Sequence, residues 1–320
     1  MPAFEPFESF AEIDEIVERL KSDDVSVRRI AVMDLGESAD PEAVPHLVTA
    51  LQDDDAGVRL QSAQALEEFD GPEAAAALAD ALADSDKAVA QAAADSLAEF
   101  KDPACAAPVL KQAEHADPFV RAAVFRGLKE LRNTESLRAA LAALEDSEAA
   151  VRTQAVGVVA YLKAEEALPA LIRMTRDDDP AVRRAAVGAL GFSRTPRAVE
   201  ALMAGLDDGE WKVREIAAET MGKIGLEDGI DKLMLAMEDS HWQVRVQAAR
   251  SLGKLKAVQA ISVIAPALQH SISNLRKDAA AALGEIAHPD GLPHLQKAAE
   301  DADPDVRKNV RWAIAQIKAA

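Results

Sequence analysis

Apolar residues recur along this chain on a fixed period of 31. Val27, Val58, Val89, Val120, Val151, Val182, Val213, Val244, Leu275 and Val306 stand 31 residues apart. Eight positions after each comes a second apolar residue: Leu35, Leu66, Leu97, Leu128, Val159, Leu190, Met221, Leu252, Leu283 or Ile314. With positions four and five after the anchor, these fall on one face of an α-helix. The polar positions keep the same register. Arginine follows the anchor in nine of the ten units, Ala90 being the exception. An acidic residue three before the anchor (Asp24, Asp55, Asp86, Asp117, Glu148, Asp179, Glu210, Asp303) predicts an N-cap, and Pro118, Pro180 and Pro304 follow at a first helical position where a missing N–H costs nothing. Gly36, Gly191, Gly222, Gly253 and Gly284 predict that the same helix ends just past its last apolar contact. An earlier run carrying residues such as Leu47, Leu51, Leu171, Leu202, Leu206 and Leu268 predicts a first helix in each unit. Two helices cannot bury their own apolar faces, so neighbouring units must stack. The expected fold is all-α, an array of about ten helix pairs.

Composition sharpens that reading. Apolar residues make up 49% of the chain but aromatic ones only 4%, which favours closely packed helices over strands. We expect one array over residues 1–320. Residues 1–21 form a leader and first helix, 22–320 hold the repeats, and the last repeat acts as a C-terminal cap. In the leader, Phe4, Phe7 and Phe10 either cap the first repeat or recruit a partner, and capping is the reading solenoid ends favour. Residues 1–9 have neither a basic nor an apolar region, so no signal peptide is read there. No stretch of about 18 apolar residues occurs, so no membrane partner is expected. A single cysteine fits a reducing compartment, and a cytoplasmic location is the default.

Segments such as DDDPAVRRAAVGALG and EDSHWQVRVQAARSLG resemble HEAT repeats of the short, phycobilisome-lyase-like type. The resemblance covers nearly the whole chain. It implies a right-handed α-solenoid, an armadillo-like superhelix, whose second helices line a concave surface. It also implies that arginines and acidic caps form structural ladders between repeats.

On a helical wheel, positions two, three, six and ten after the anchor face that groove. The tenth position reads Glu37, Glu68, Glu99, Glu130, Tyr161, Phe192, Lys223, Lys254, Glu285 and Gln316: acids, then two aromatics, then two lysines. Arg250 joins the basic stretch from the sixth position. Bulk charge agrees, because residues 1–160 hold 32 acidic and 14 basic side chains, a net of -18 out of -19 for the chain. Such an acid balance argues against a nucleic-acid partner, since phosphate binding needs clustered Lys and Arg. Gly157 and Gly188 at the sixth position would leave a shallow apolar depression beside Tyr161 and Phe192, or else relieve helix crowding. Trp211 and Trp242 share one position in repeats 7 and 8, where they would stack along an edge. That edge is the alternative binding site, though packing against the turn explains them too. Trp312 would cap the last repeat.

Chemistry is sparse. Of the six histidines, His241 and His270 lie in neighbouring turns, short of the three or four ligands a metal site needs. His288 and His294 read as a loop–helix junction. No His-Glu pair of the deoxyhypusine-hydroxylase kind and no phosphate-binding glycine loop occurs, and a DNA-glycosylase-like groove would be basic. Cys105 falls where other units place alanine, so a core position outweighs bilin attachment or redox work. We therefore expect no catalytic residues, no metal and no cofactor, and a protein-binding scaffold whose groove holds another protein. The family resemblance offers one rival, a subunit of a bilin lyase, together with docking factors for iron–sulfur or other cofactor assembly.

Overall fold

The computed structural model describes residues 13–320, so Phe4, Phe7 and Phe10 lie outside the described residues. Among those residues every regular element is helical. The chain divides into two units, residues 1–163 and 164–320. The described part of each holds five helix pairs. In the first unit the second helices are Val25–Glu37, Ala56–Ala65 with a 3-10 turn Leu66–Glu68, Lys87–Glu99, Pro118–Leu131 and Ala149–Leu162. In the second they are Pro180–Ala189 with Leu190–Phe192, Trp211–Ile224, Trp242–Lys254, Ser273–Ile286 and Pro304–Ala319. Within each unit a second helix packs on the second helix of the next repeat, and the first helices cover them from one side. None of the described helices is long and apolar enough to cross a membrane.

The anchors explain the stacking. Nine of the ten are at most 1% exposed, Val27 being the partly open one, and nine of the residues eight positions on are equally buried. Each such side chain contributes roughly 1.5–3 kcal/mol by leaving water, so a pair that only its neighbours can cover is held by them. Position seven is also buried in most repeats, as Ser96, Val158, Thr220, Ser251 and Ala282 show. It faces the preceding repeat. There the Ser96 hydroxyl donates to the Ala63 carbonyl at 2.9 Å, and Ser251 to Ala218 at 2.6 Å. Buried hydroxyls with such acceptors cost little.

All eight acidic caps stand at the predicted N-cap positions. Seven accept a backbone N–H through the side chain; Glu148 holds the position without doing so. The glycine expectation needs correction. Gly36, Gly222, Gly253 and Gly284 lie inside their helices and Gly191 inside the 3-10 turn that follows, so none of them ends a helix. They sit where neighbouring second helices cross. A Cβ on Gly222 would lie 2.7 Å from Ser251 Cα, and one on Gly284 2.7 Å from Ala313 Cα. Helices end instead at left-handed residues such as Arg132, Lys163, Ala287 and Gly225. Of these only Gly225, at φ +67°, has the side-chain-free backbone that favours this conformation.

Candidate binding face and arginine ladder

In residues 13–163 most of the tenth-position side chains are exposed. Glu37, Glu68 and Glu99 are exposed. Glu130 is half-buried, with Lys129 Nζ at 3.5 Å and Lys101 Nζ at 3.9 Å. Tyr161 is 41% exposed, and its ring lies 5.4 Å from both Lys129 Nζ and the Arg132 guanidinium. Lys129 also accounts for Gly157, since a Cβ there would meet the lysine stem at 3.3 Å. The space beside Tyr161 is therefore shared with a lysine. The same face carries an apolar element: Ile30 and Met33, at positions three and six of the first repeat, are 52% and 44% exposed. Met33 borders a hollow of about 410 Å³ whose rim carries Glu37 and Glu68. The signal was present, because no other repeat holds two large aliphatic residues at those positions.

In the second unit Phe192 is half-buried, while Lys223 and Lys254 are exposed. Gly188 faces Ile216, 3.2 Å from where a Cβ would stand. Arg250 makes a two-pronged contact with Asp278, Nε to Oδ1 at 3.0 Å and Nη2 to Oδ2 at 3.1 Å. Its charge is thus spent largely within the chain. Trp211 stacks on His241, with ring centroids 5.4 Å apart and planes at 7°. The expected edge stack is a tryptophan–histidine pair in place of two tryptophans, since His241 is the N-cap directly before Trp242. The histidines do not pair with each other: His241 Nδ1 lies 3.4 Å from Arg214, and His270 Nε2 3.1 Å from Arg245. His288 caps a 3-10 turn by accepting from Asp290 N. No group of three metal-ligating side chains occurs among the described residues. Cys105 is fully buried with its Sγ 3.6 Å from Asp70, and burial, with Asp70 nearby, pushes its thiol up to about 12. A thiol held protonated is no nucleophile. Trp312, 41% exposed, lies against Gly284.

The arginine after the anchor builds a ladder. Arg59 Nε and Nη2 reach both carboxylate oxygens of Asp84 at 2.8 and 2.9 Å, while Nη1 donates to the carbonyls of Asp53 and Asp54. Arg28–Asp53, Arg121–Asp146, Arg183–Asp208, Arg214–Asp239 and Arg276–Asp301 repeat the fork. The ladder acid is thus the aspartate two residues before the cap, not the cap itself. Arginine hydrogen bonds hold the carboxyls of Asp53, Asp84, Asp146 and Asp301 below the usual range. The acid also accepts the backbone N–H of the cap, as Asp84 does from Asp86 at 2.8 Å. Two rungs differ. Arg245 faces His270, and repeat 3 has Ala90 facing the turn of His115.

Comparison with known proteins places this geometry. Five overlapping matches to the HEAT-repeat model cover residues 13–98, 76–148, 137–222, 199–281 and 264–320. Comparison with curated proteins gave no match. Among solved structures, yeast importin-β (Kap95p) aligns over 95% of this chain and 50% of its own, with 15% identity and a TM-score of 0.66. A second importin-β structure aligns over 96% and 50%, with 16% identity and a TM-score of 0.60. The protein YIBA_ECOLI aligns over 89% of this chain and 96% of its own, with 21% identity and a TM-score of 0.53. The chain spans about half the length of the importin-β chains it matches, and identities this low speak to fold alone. Ladder, anchors, helix pairs and family model agree: this chain belongs to the HEAT-repeat family.

Proposed function

We propose that this chain is a non-enzymatic scaffold whose second-helix face binds another protein, and that the face of residues 13–163 takes a basic segment carrying an apolar side chain. The observation that carries this is the stripe itself. Exposed Met33 borders a hollow rimmed by Glu37 and Glu68, with exposed Ile30 one helical turn before it and Glu99 continuing the acid line. Apolar anchors set residence time while surrounding charge sets encounter rate and partner choice. Kap95p, which shares the fold, is described with RanGDP and in complex with Nup1. That likeness supports a protein partner by analogy of fold only. A reducing, cytoplasmic setting belongs to the same reading and rests on the single buried Cys105.

The test is affinity capture from the native host with the parent chain and two variants, identified by mass spectrometry. Glu37→Lys with Glu68→Lys and Glu99→Lys should release the captured partner, as should Met33→Asp. Raised salt should weaken capture of the parent, because screening shortens to roughly 8 Å near physiological ionic strength. Capture that survives both variants, but is lost on Trp211→Ala with Trp242→Ala, moves the site to the second unit and refutes this reading.

A further inference from the structure

In every fully forked rung, arginine Nη1 donates to two carbonyls of its own turn, six and five residues earlier, and the rest of the fork spans the next turn's aspartate. In repeat 3 the same helix position is Ala90, 6% exposed, and the residue at the aspartate's place is His115. The carbonyls equivalent to those that a guanidinium satisfies elsewhere belong to Asp84 and Ser85, and an alanine side chain has nothing to donate to them. Beside them lies a cavity of about 470 Å³, lined by Asp84, Lys87, Ala90, Gln91, His115 and Phe119 among others. Cavities of similar size flank the intact rungs of Arg183 and Arg276, but there the guanidinium itself forms a wall. Only in repeat 3, among these three, does the hollow take that place.

We infer that this cavity binds a guanidinium group brought by another molecule, the arginine side chain of a polypeptide or a small guanidino compound. The site stands apart from the acidic stripe and does not depend on it. Its chemistry matches a guanidinium in three respects. In the intact rungs Nη1 alone serves both carbonyls while Nε and Nη2 reach the next turn's side chain, and a single ammonium nitrogen cannot cover both turns at once. The imidazole of His115 stands where a fork meets its carboxylate elsewhere, and repeat 8 shows that pairing in this chain, with Arg245 Nη2 3.1 Å from His270 Nε2. Phe119, 38% exposed, offers a ring face on which a planar cation stacks. Asp117 in the lining disfavours an anion, the Asp84 carboxylate being already paired with Arg59, and Lys87 is the one cation lining the space.

The experiment follows the His115 ring by nuclear magnetic resonance in the full chain, at physiological ionic strength, while Nα-acetylarginine amide is titrated in. Saturable shifts at His115 and Phe119 are expected. Nα-acetylcitrulline amide has the same shape without the charge and should bind at least about tenfold more weakly, because hydrogen bonds from a charged donor are the stronger ones. Nα-acetyllysine amide should also bind more weakly. Ala90→Arg should fill the cavity from within and abolish the shifts. Ala90→Leu should do so by volume alone, and circular dichroism confirms that each variant is folded. A capped Gly-Arg-Gly peptide that binds more tightly than the single residue marks a polypeptide source; equal binding marks a small guanidino compound. The inference is overturned if the citrulline derivative binds as well as arginine, if Ala90→Arg retains the shifts, or if perturbations spread evenly over exposed acids such as Glu68 and Glu99.

Discussion

Replacing Gly222 with alanine sets two effects of opposite sign against each other. Alanine in a helix interior is favoured over glycine by about 1 kcal/mol, and Gly222 lies inside Trp211–Ile224. Against this, the new Cβ would stand 2.2 Å from Ser251 Oγ and 2.7 Å from Ser251 Cα. The hydroxyl could rotate only by giving up its bond to the Ala218 carbonyl, and the backbone atom cannot rotate at all. Carbon atoms rest about 3.5–4.0 Å apart, so the helices of repeats 7 and 8 must separate by roughly 1 Å, which weakens every contact along their seam. Overpacking of this kind costs about 1–3 kcal/mol. Gly222→Ala should therefore destabilise by up to about 2 kcal/mol net of the propensity gain. Gly284→Ala should follow, meeting Ala313 Cα at 2.7 Å. Gly157→Ala is the control: its Cβ would meet only the mobile stem of Lys129 at 3.3 Å, so propensity should win by up to about 1 kcal/mol. Equilibrium urea unfolding by circular dichroism measures the differences. Hydrogen exchange in Trp211–Ile224 localises the loss, because arrays unfold in parts. A Gly222→Ala protein as stable as the parent, or one shifted in the same direction as Gly157→Ala, would show that helix propensity alone governs these sites.

Arg59→Lys should destabilise by about 1–3 kcal/mol despite keeping the charge, since an ammonium cannot hold both Asp84 oxygens and two carbonyls; urea midpoints check it. Acid should weaken both units together. The native carboxyls of Asp53, Asp84, Asp146 and Asp301 lie below the unfolded value of about 3.9, so their contribution is complete above that value and is lost as pH falls through the native ones. Unfolding midpoints that stay flat below about pH 4 would contradict this. Ala90→Arg should stabilise by less than about 1 kcal/mol, and Ala90→Arg with His115→Asp should exceed the sum of the single changes, as a double-mutant cycle reads directly. Cys105 should react with a thiol reagent only as fast as its repeat opens, so a rapid stoichiometric reaction in native buffer would place it outside the core.

The periodic features are legible because each recurs in eight or more of the ten repeats. A single valine followed by arginine says little, but the register of Val27 through Val306 fixes the buried face, and the acid three residues earlier fixes the helix start. The glycines were misread for a definite reason. A glycine late in an amphipathic run satisfies two rules at once, helix termination and close helix crossing. Only the distance from Gly222 to Ser251 tells them apart, while the real terminator, Gly225, stood three residues later. The ladder acid was displaced by two residues because Asp53 and Asp55 are alike in composition, and only the fork from Arg28 selects between them. Ile30 and Met33 carry no periodic signal, because they fill positions three and six with large aliphatic residues in one repeat alone. The Trp211–His241 stack joins residues 30 apart, a spacing that no 31-residue alignment brings together.

The one-way wiring of the arginine fork makes the repeats interchangeable in a directional sense. Each forked arginine grips its own turn behind it and the next turn's aspartate ahead, 25 residues on. Excising any 31 residues between two such rungs brings an identical plug to an identical socket, and duplicating 31 residues does the same. Gene-level gain or loss of a unit is thereby nearly seamless where Asp53, Asp84 or Asp146 supplies the socket. At His115 and His270 the socket has changed shape, so those two joints resist being shuffled.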